Sequence, residues 1–305
     1  MTLIVLIGSS ESFTYSKVKN NTKFYKVAEG SSLYSVIEDL ALEPMPKLLL
    51  KIYLKTNGIN LAQTGLYHLQ NKSWREFLSS VSKGDVAIFK LQIPAGKNLF
   101  ELEDIFLELN LTYDCINFEC LDKRFRFIEG TLNPDTYFYK DSASLANILK
   151  VSQDQFFNLS TSIWSNRNID LPLKSLSEAI ILASIVEKEA GNDEEKAIIA
   201  GVFLHRLSIG MRLQADPTII YGLMPDFNGD ITKANLIDKN NLYNTYQIQG
   251  LPPTPISTIS KSSLEAVILG MPNDYLYFVA KGDGTHKFSK TYKEHLDAVK
   301  KYQLN

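Results

Sequence analysis

The chain has 305 residues, enough for one large domain or two of ordinary size. Hydrophobic residues make up 45% of it and charged residues 22%, a composition typical of a globular protein. The net charge is −2 and no long run of one sign occurs, which argues against nucleic-acid binding driven by phosphate contacts.

The chain begins with an apolar run at residues 2–7, far shorter than the roughly 20 residues that cross a bilayer. Two interpretations stay open. The run is either an ordinary apolar start, such as a first strand, or the tail of a membrane anchor with a polar linker behind it. We therefore treat residues 1–23 as a separate N-terminal segment.

Two similar strand–turn–helix units are predicted in the first third of the chain. Strand-like runs at 24–27 and 86–93 each precede a glycine and an amphipathic stretch. A short strand at 65–69 and a short helix at 74–81 lie between them. This succession predicts an α+β fold.

Cys115 and Cys120 have four residues between them, and the four histidines are scattered along the chain. No ligand set of the usual spacing is present, so neither a metal nor another cofactor is predicted. A disulfide stays open, but the pattern favours two unpaired, partly buried thiols.

The middle of the chain predicts two long helices. An Asn-Pro-Asp turn at 133–135 leads into an aromatic strand, and a helix follows at 143–166. Ser175 and Glu178 form the pattern of a capping box, which begins the next helix. That helix is apolar on nearly all faces as far as Val186, so we predict a core helix.

Two carboxylates, Glu187 and Glu189, end this core helix. Residues two apart on a helix project about 200° apart, so only one of them can face a given cleft. Burial of a carboxylic acid costs free energy, so a buried acid at this position is a candidate for general-acid chemistry. The alternative, for either glutamate, is that the side chain is simply solvated at the end of the helix. Leu182 and Ile185 share the row of Glu189, and such an apolar setting would raise its pKa.

A second capping-box pattern, Asn192 with Glu195, begins a helix that ends at Gly210. His205 and Arg206 fall in its last turn, where the helix dipole favours cations, and we interpret both in that way.

Polar loops follow. Asp216 either caps the next element, with Pro217 in the first turn, or belongs to a cleft. A strand at 275–280 and a glycine-rich turn at 282–288 close the pattern.

The chain carries long motifs in a fixed order: VAEGSSLYSVIEDL, QTGLYHL, WREFLSSVSKGDVAIFKLQIPAGKNL, EGTLNPDTYFY, ASIVEKE, FLHRLSIGMRLQADPTIIYG, YNTYQIQGLPP, YLYFVAKGDGTHKFS and YKEHLDAV. Together they resemble the MltG (YceG-like) endolytic murein transglycosylases of bacteria, from about residue 24 to the C-terminus. The resemblance implies a small LysM-like subdomain at 24–92, followed by a larger mixed α/β catalytic domain at 93–305.

The resemblance also implies an activity and a location. Members are anchored in the inner membrane by one N-terminal helix, which is incomplete here, and work on the periplasmic side beside the cell-wall synthesis proteins. They cleave the β-1,4 bond after N-acetylmuramic acid in nascent peptidoglycan glycan strands. The cut leaves a 1,6-anhydro end and uses no water.

The family's catalytic acid corresponds to Glu189. One carboxylate suffices for this chemistry, because it can protonate the leaving oxygen and then accept the proton of the sugar's own 6-hydroxyl. The residues expected to line the cleft are Gln214, Asp216, Thr218, Tyr243, Asn244, Thr245 and Tyr246. His286 and Phe288 are expected to close one side of it.

The sequence departs from the family at residues 254–260, at Asn133 and in the missing anchor helix, so the loop shape at 254–260 is open. Two other functions also stay open. A hydrolysing muramidase would use Glu189 as acid and Asp216 as base. A non-catalytic peptidoglycan-binding protein would use only the LysM-like part, but the intact Glu-Lys-Glu and Gln-x-Asp-Pro-Thr motifs argue against it.

Overall fold

The computed structural model describes residues 2–227 and 229–303. Clustering of contacts divides the chain into two compact units. The first contains the described residues up to Lys90 together with Phe138–Ala143, and the second contains Leu91–Tyr137 and the described residues from Ser144 onward. The return of Phe138–Ala143 to the first unit is not apparent in the sequence.

The first unit combines a two-stranded sheet with helices. Strands β1 and β2 pair antiparallel, with Phe24 opposite His68 and Val27 opposite Gly65. Its elements in chain order are α1 (Thr2–Phe13), β1 (Phe24–Val27), α2 (Leu33–Leu40), α3 (Pro44–Asn57), β2 (Gly65–His68) and α4 (Trp74–Lys83). The predicted strands at 24–27 and 65–69 and the helix at 74–81 are confirmed.

The apolar run at 2–7 lies in α1, so the first-strand interpretation is wrong. Ile4 and Val5 remain 77% and 61% exposed on this helix. None of the helices in the described residues has both the length and the apolar character needed to span a bilayer.

The second unit is mostly helical. Its elements include α5 (Leu99–Leu107), α6 (Leu145–Ser165), α7 (Leu176–Glu189), α8 (Asp193–Ser208), α9 (Asp216–Gly222), α10 (Lys233–Ile237), α11 (Lys261–Ile268), β5 (Tyr277–Ala280), β6 (His286–Ser289) and α12 (Tyr292–Tyr302). Strands β3 (Ile88–Ile93) and β4 (Asp135–Lys140) form another two-stranded sheet.

Helix α7 is the core helix that the sequence predicts. Ile180, Leu182, Ile185 and Val186 are fully buried among α6, α8, α9 and α11. Such all-round burial explains why the helix has no polar face. It also fixes the direction in which the end of the helix projects.

The two predicted capping boxes form only in part. Ser175 and Asn192 do cap α7 and α8, accepting hydrogen bonds from the backbone N–H groups of Glu178 and Glu195. In a complete capping box the glutamate carboxylate would accept a hydrogen bond from the N–H of the N-cap residue. Here the Glu178 carboxylate accepts from the Lys174 N–H, and the Glu195 carboxylate accepts from the His286 N–H.

Cys115 and Cys120 form a disulfide, so the expectation of two unpaired thiols is wrong. A short 3₁₀ turn at Ile116–Phe118 lies between them and brings their Cα atoms to 5.2 Å, within the range that a disulfide needs. The sequence spacing alone could not show this turn.

Candidate active site

Glu189 is the last residue of α7 and faces a cavity of about 500 Å³ in the second unit. Because Leu182 and Ile185 on its row are fully buried, the helix delivers this carboxyl group to the cavity from an apolar core. Burial is the main cause that raises the pKa of Glu189 to about 8; the nearby charge of Asp216 raises it further and Arg206 lowers it. Glu189 is therefore protonated at neutral pH.

The cavity lies between the end of α7, the start of α9, strand β5 and helix α12. Its lining residues are Glu189, Arg206, Gln214, Asp216, Tyr246, Tyr277, Phe278, Val279, Ala280, His286, Tyr292, His295, Val299 and Gln303. The structure thus brings together five residues that the sequence assigns to the cleft: Glu189, Gln214, Asp216, Tyr246 and His286.

Asp216 and Tyr246 form a bonded pair in this lining. The Tyr246 hydroxyl donates a 2.7 Å hydrogen bond to Asp216 Oδ1. Asp216 is the first helical residue of α9 and the N-cap is Ala215, so Asp216 is not the helix cap that one interpretation of the sequence gave. Gln214, two residues earlier, has a φ of +51°, a left-handed conformation that non-glycine residues adopt at some cost and that is typical of functional loops.

Glu187 occupies the opposite side of α7, as helical geometry requires. Its carboxylate accepts hydrogen bonds from the Ser260 N–H at 3.0 Å and from the Ser263 hydroxyl at 2.6 Å. Lys196 lies 3.3 Å away. These contacts tie the end of α7 to the start of α11, so Glu187 has a structural role.

Arg206 belongs to the cavity lining, although its position in the sequence suggests only a cation at a helix end. Its side chain is 6% exposed; Nε donates to the Leu276 carbonyl at 2.7 Å, and Nη1 donates to the Leu213 carbonyl. The guanidinium also lies 5.5 Å from the ring centre of Tyr277. Arg206 therefore fastens two walls of the cavity and places a positive charge near Glu189.

Three predicted cleft residues lie behind the lining. Thr218 and Thr245 are fully buried, their hydroxyl oxygens are 2.8 Å apart, and Thr245 Oγ1 accepts from the Ala215 N–H at 2.9 Å. Asn244 is also fully buried and its amide donates to the Asp238 carbonyl at 2.9 Å. They hold the loop before Asp216 and the loop that carries Tyr246, whereas direct contact with a substrate stays a prediction.

Tyr243 and Phe288 also lie outside the lining. The Tyr243 hydroxyl is 2.8 Å from Thr254 Oγ1, and its ring packs 4.8 Å from the ring centre of Tyr221. Phe288 packs against Phe278 on the β5–β6 hairpin. The Tyr243–Thr254 contact falls in the segment at 254–260 where the sequence departs from the family.

Another acid, Glu129, is buried and was not singled out by the sequence beyond its place in the EGTLNPDTYFY motif. It is 4% exposed and accepts hydrogen bonds from Leu99 N–H, Gly130 N–H and the Tyr221 hydroxyl. Burial raises its pKa to about 7. Since Glu129 does not line the cavity, its contacts indicate a structural junction between α5 and α9.

No group of three or more His, Cys, Asp or Glu side chains suited to a metal occurs among residues 2–227 and 229–303. The cavity instead holds one protonated acid, a second carboxylate, an arginine, two histidines and several aromatic rings. Such a set defines an acid–base site for a polar substrate, carried on a mixed α/β protein with small sheets.

Comparison with known proteins identifies the group to which this chain belongs. The chain is a member of the YceG-like family, whose model matches residues 25–301. A Bacillus subtilis (strain 168) relative named endolytic murein transglycosylase is 28% identical over 97% of this chain and 89% of its own length.

Two further relatives agree with this placement. A Streptococcus pneumoniae (strain R6) protein of the same name is 27% identical over 86% of this chain and 55% of its own length, so this chain spans about half of that relative. The crystal structure of a yceG-like protein from Listeria monocytogenes matches with a TM-score of 0.61 and 27% identity, over 90% of this chain and 97% of that one.

Proposed function

We propose that this chain is an endolytic murein transglycosylase that cleaves the bond between N-acetylmuramic acid and N-acetylglucosamine inside peptidoglycan glycan strands. The observation that carries the proposal is Glu189, a carboxyl group with a pKa of about 8 at the wall of a polar cavity. The names of the curated relatives support the same activity.

In the proposed reaction Glu189 transfers its proton to the glycosidic oxygen as the bond between that oxygen and the anomeric carbon breaks. The 6-hydroxyl of the same muramyl sugar attacks the anomeric carbon and gives its proton to the Glu189 carboxylate. The products are a strand with a free 4-hydroxyl and a strand with a 1,6-anhydro end. Glu189 finishes as it began, and no water is consumed.

Two neighbours set the two states of Glu189. The charge of Asp216 favours the protonated state that the first proton transfer needs. Arg206 favours the ionised state that exists between the two transfers. An acid balanced in this way suits a group that serves first as acid and then as base.

A hydrolysing muramidase is the second candidate, and the observation that favours it is Asp216 in the same cavity. There Asp216 would activate water. Its bond from Tyr246 and its charge effect on Glu189 fit a supporting role equally well. A binding protein without activity is disfavoured, because such a protein has no use for a protonated acid in a cavity.

The experiment that decides is mass spectrometry of the products released from purified peptidoglycan strands. We expect 1,6-anhydro-muramyl ends and persistence of activity in excess chelator. Reducing muramyl ends would favour the muramidase, and no cleavage of any strand preparation would favour the binding protein.

The family resemblance supports two further parts of the proposal. Residues 24–92 would act as a LysM-like subdomain, and the separate core of the first unit is compatible with this. The catalytic part would act on the periplasmic side of the inner membrane, beside cell-wall synthesis proteins. Protease accessibility of the native protein in spheroplasts tests the location; full protection in intact spheroplasts would refute it.

A further inference from the structure

The carboxylate of Glu195 holds His286 at two points. Glu195 Oε1 accepts a 2.9 Å hydrogen bond from the His286 backbone N–H, and Oε2 lies 2.7 Å from Nδ1 of the imidazole ring. Both side chains are largely buried, at 11% and 13% exposure. The contact joins the first turn of α8 to the start of β6, 91 residues further along the chain.

The pair fixes the tautomer that a neutral imidazole adopts. A carboxylate only accepts hydrogen bonds, so the single proton of a neutral ring sits on Nδ1. Nε2 then carries a lone pair. The ring packs edge-on against Phe278, with 5.5 Å between ring centres, which limits its rotation.

His286 lines the same cavity as Glu189. The atom of the ring that Glu195 does not hold is Nε2. As a hydrogen-bond acceptor, Nε2 can bind a polar hydrogen. The amino sugars of the proposed substrate carry two kinds of polar hydrogen, on hydroxyl groups and on the acetamido N–H.

We propose that Glu195 is a positioning residue that holds His286 in the Nδ1–H tautomer, so that Nε2 accepts a hydrogen bond from a hydroxyl or acetamido N–H of the bound amino sugar. The inference rests on the proposed function for the identity of the substrate. Glu195 acts through His286 and does not itself touch the sugar.

Glu195→Gln provides the main test. The glutamine oxygen can still accept from the His286 N–H, but its NH₂ group then faces Nδ1. Nδ1 must become the acceptor, the proton moves to Nε2, and the atom offered to the sugar changes from acceptor to donor. We expect the tautomer to reverse in ¹⁵N NMR of the ring, kcat/KM to fall at least tenfold, and the melting temperature to change little.

Glu194→Gln is the matched control. Glu194 is exposed in the same first turn of α8, so its replacement removes the same charge from the same helix end. We expect parental activity and the parental tautomer.

Two replacements of His286 separate hydrogen bonding to the sugar from a purely structural bond. Asparagine can keep a polar group near the Nδ1 position, facing Glu195, but loses Nε2, whereas glutamine can place a carbonyl oxygen near Nε2. We expect His286→Asn to lose at least tenfold in kcat/KM and His286→Gln to retain more activity. An active Asn variant beside an inactive Gln variant would overturn the proposal, because activity would then depend only on the structural hydrogen bond to Glu195.

Affinity for peptide-free glycan, with its acetamido nitrogens unchanged or N-methylated, distinguishes the donors. A Glu195→Gln defect that disappears on N-methylated strands, which lack the N–H, assigns the acetamido N–H; a defect on both assigns a hydroxyl. If the parent cleaves strands and Glu195→Gln equals it, this inference fails while the proposed function stands. If the parent binds but does not cleave, and the variant binds more weakly, the proposed function fails while this inference stands. A parent that does neither refutes both.

Discussion

At the scale of single residues, the two acids at the end of α7 have separate tasks because a helix turns them apart. Glu189 faces the cavity with a raised pKa, while Glu187 accepts bonds from Ser260 and Ser263. Helical periodicity limits the choice to one acid per cleft but does not say which, and only the family resemblance points to Glu189. Only the packing of α7 in the core orients the pair.

Glu189→Gln should lower the rate of glycan cleavage by at least about 10²-fold, because the amide cannot transfer a proton. Glu187→Gln should leave the rate nearly unchanged and instead lower the melting temperature, because the amide NH₂ would face hydrogen-bond donors. Cleavage rates and thermal melting of both variants check this. If Glu187→Gln loses more activity than Glu189→Gln, the roles are reversed.

Stability provides an independent check on the same acid. A carboxyl group with a pKa of about 8 in the folded state and 4.5 as its reference binds its proton more tightly when folded. The contribution of Glu189 to folding stability is therefore greatest below pH 4.5 and is lost as the pH rises towards 8. Glu189→Gln lacks this penalty, so it should be more stable than the parent at pH 9, by up to about 5 kcal/mol, and similar at pH 4. Denaturant unfolding at the two pH values measures the difference.

The pH profile of Asp216→Asn tests how the two carboxylates act together. In the parent, kcat/KM should fall as the pH rises through about 8, where Glu189 loses its proton. The asparagine oxygen can still accept from Tyr246, but the charge that raises the pKa of Glu189 is gone. We expect the fall to begin at lower pH, with reduced activity and products that still carry anhydro ends. Complete loss of turnover, with reducing ends from the parent, would favour the muramidase.

Several site residues could not be recognised from sequence for a physical reason. Arg206 is compatible with a helix-end cation, and only the fold reveals that its guanidinium spans the Leu213 and Leu276 carbonyls. Glu195 similarly fits a capping box in the sequence. Its true partner is 91 residues away, a separation that local spacing rules do not cover.

At the scale of elements, prediction succeeds where local pattern and packing agree. Helices α6 and α7 and strands β1 and β2 lie within a few residues of their predicted bounds, because apolar periodicity and N-cap residues determine them. The start of α9 differs, since Asp216 lies inside the helix and Ala215 occupies the N-cap position. The state of the cysteines was missed because it depends on a 3₁₀ turn rather than on composition.

The disulfide closes a loop with a sequence separation of five residues. A loop this short confers about 2 kcal/mol on the chain-entropy account. Reduction, or replacement of Cys115 and Cys120 by serine, should lower the free energy of unfolding by up to that amount. Denaturant unfolding with and without reductant measures it. The serine variant should not respond to reductant; an equal response would show that reduction acts elsewhere.

At the scale of the whole molecule, the described residues contain two separate hydrophobic cores. One is built around Leu33, Ile37 and Phe77 in the first unit and the other around α7 and α8 in the second. All residues that line the cavity belong to the second unit. The stability of the first core and the chemistry of the cavity should therefore be separable.

Leu78→Ala tests this separation. Leu78 is fully buried in the first core, and its truncation should cost about 2–5 kcal/mol of that core's stability. We expect an early melting transition to move down, while cleavage of short glycan strands below that temperature stays close to parental. A single transition that shifts as a whole, with parallel loss of activity, would show one cooperative body instead.

The tip of the β5–β6 hairpin approaches the turn just after Glu189 very closely. A Cβ atom at Gly191 would lie 2.5 Å from the Gly284 carbonyl oxygen, and the Asn192 amide donates to that same oxygen at 3.2 Å. Surface hairpins generally tolerate added residues, because their tips meet only solvent. This tip has a fixed partner, so we expect its length to be constrained during evolution. Divergence in loop length should accumulate away from residues 281–285.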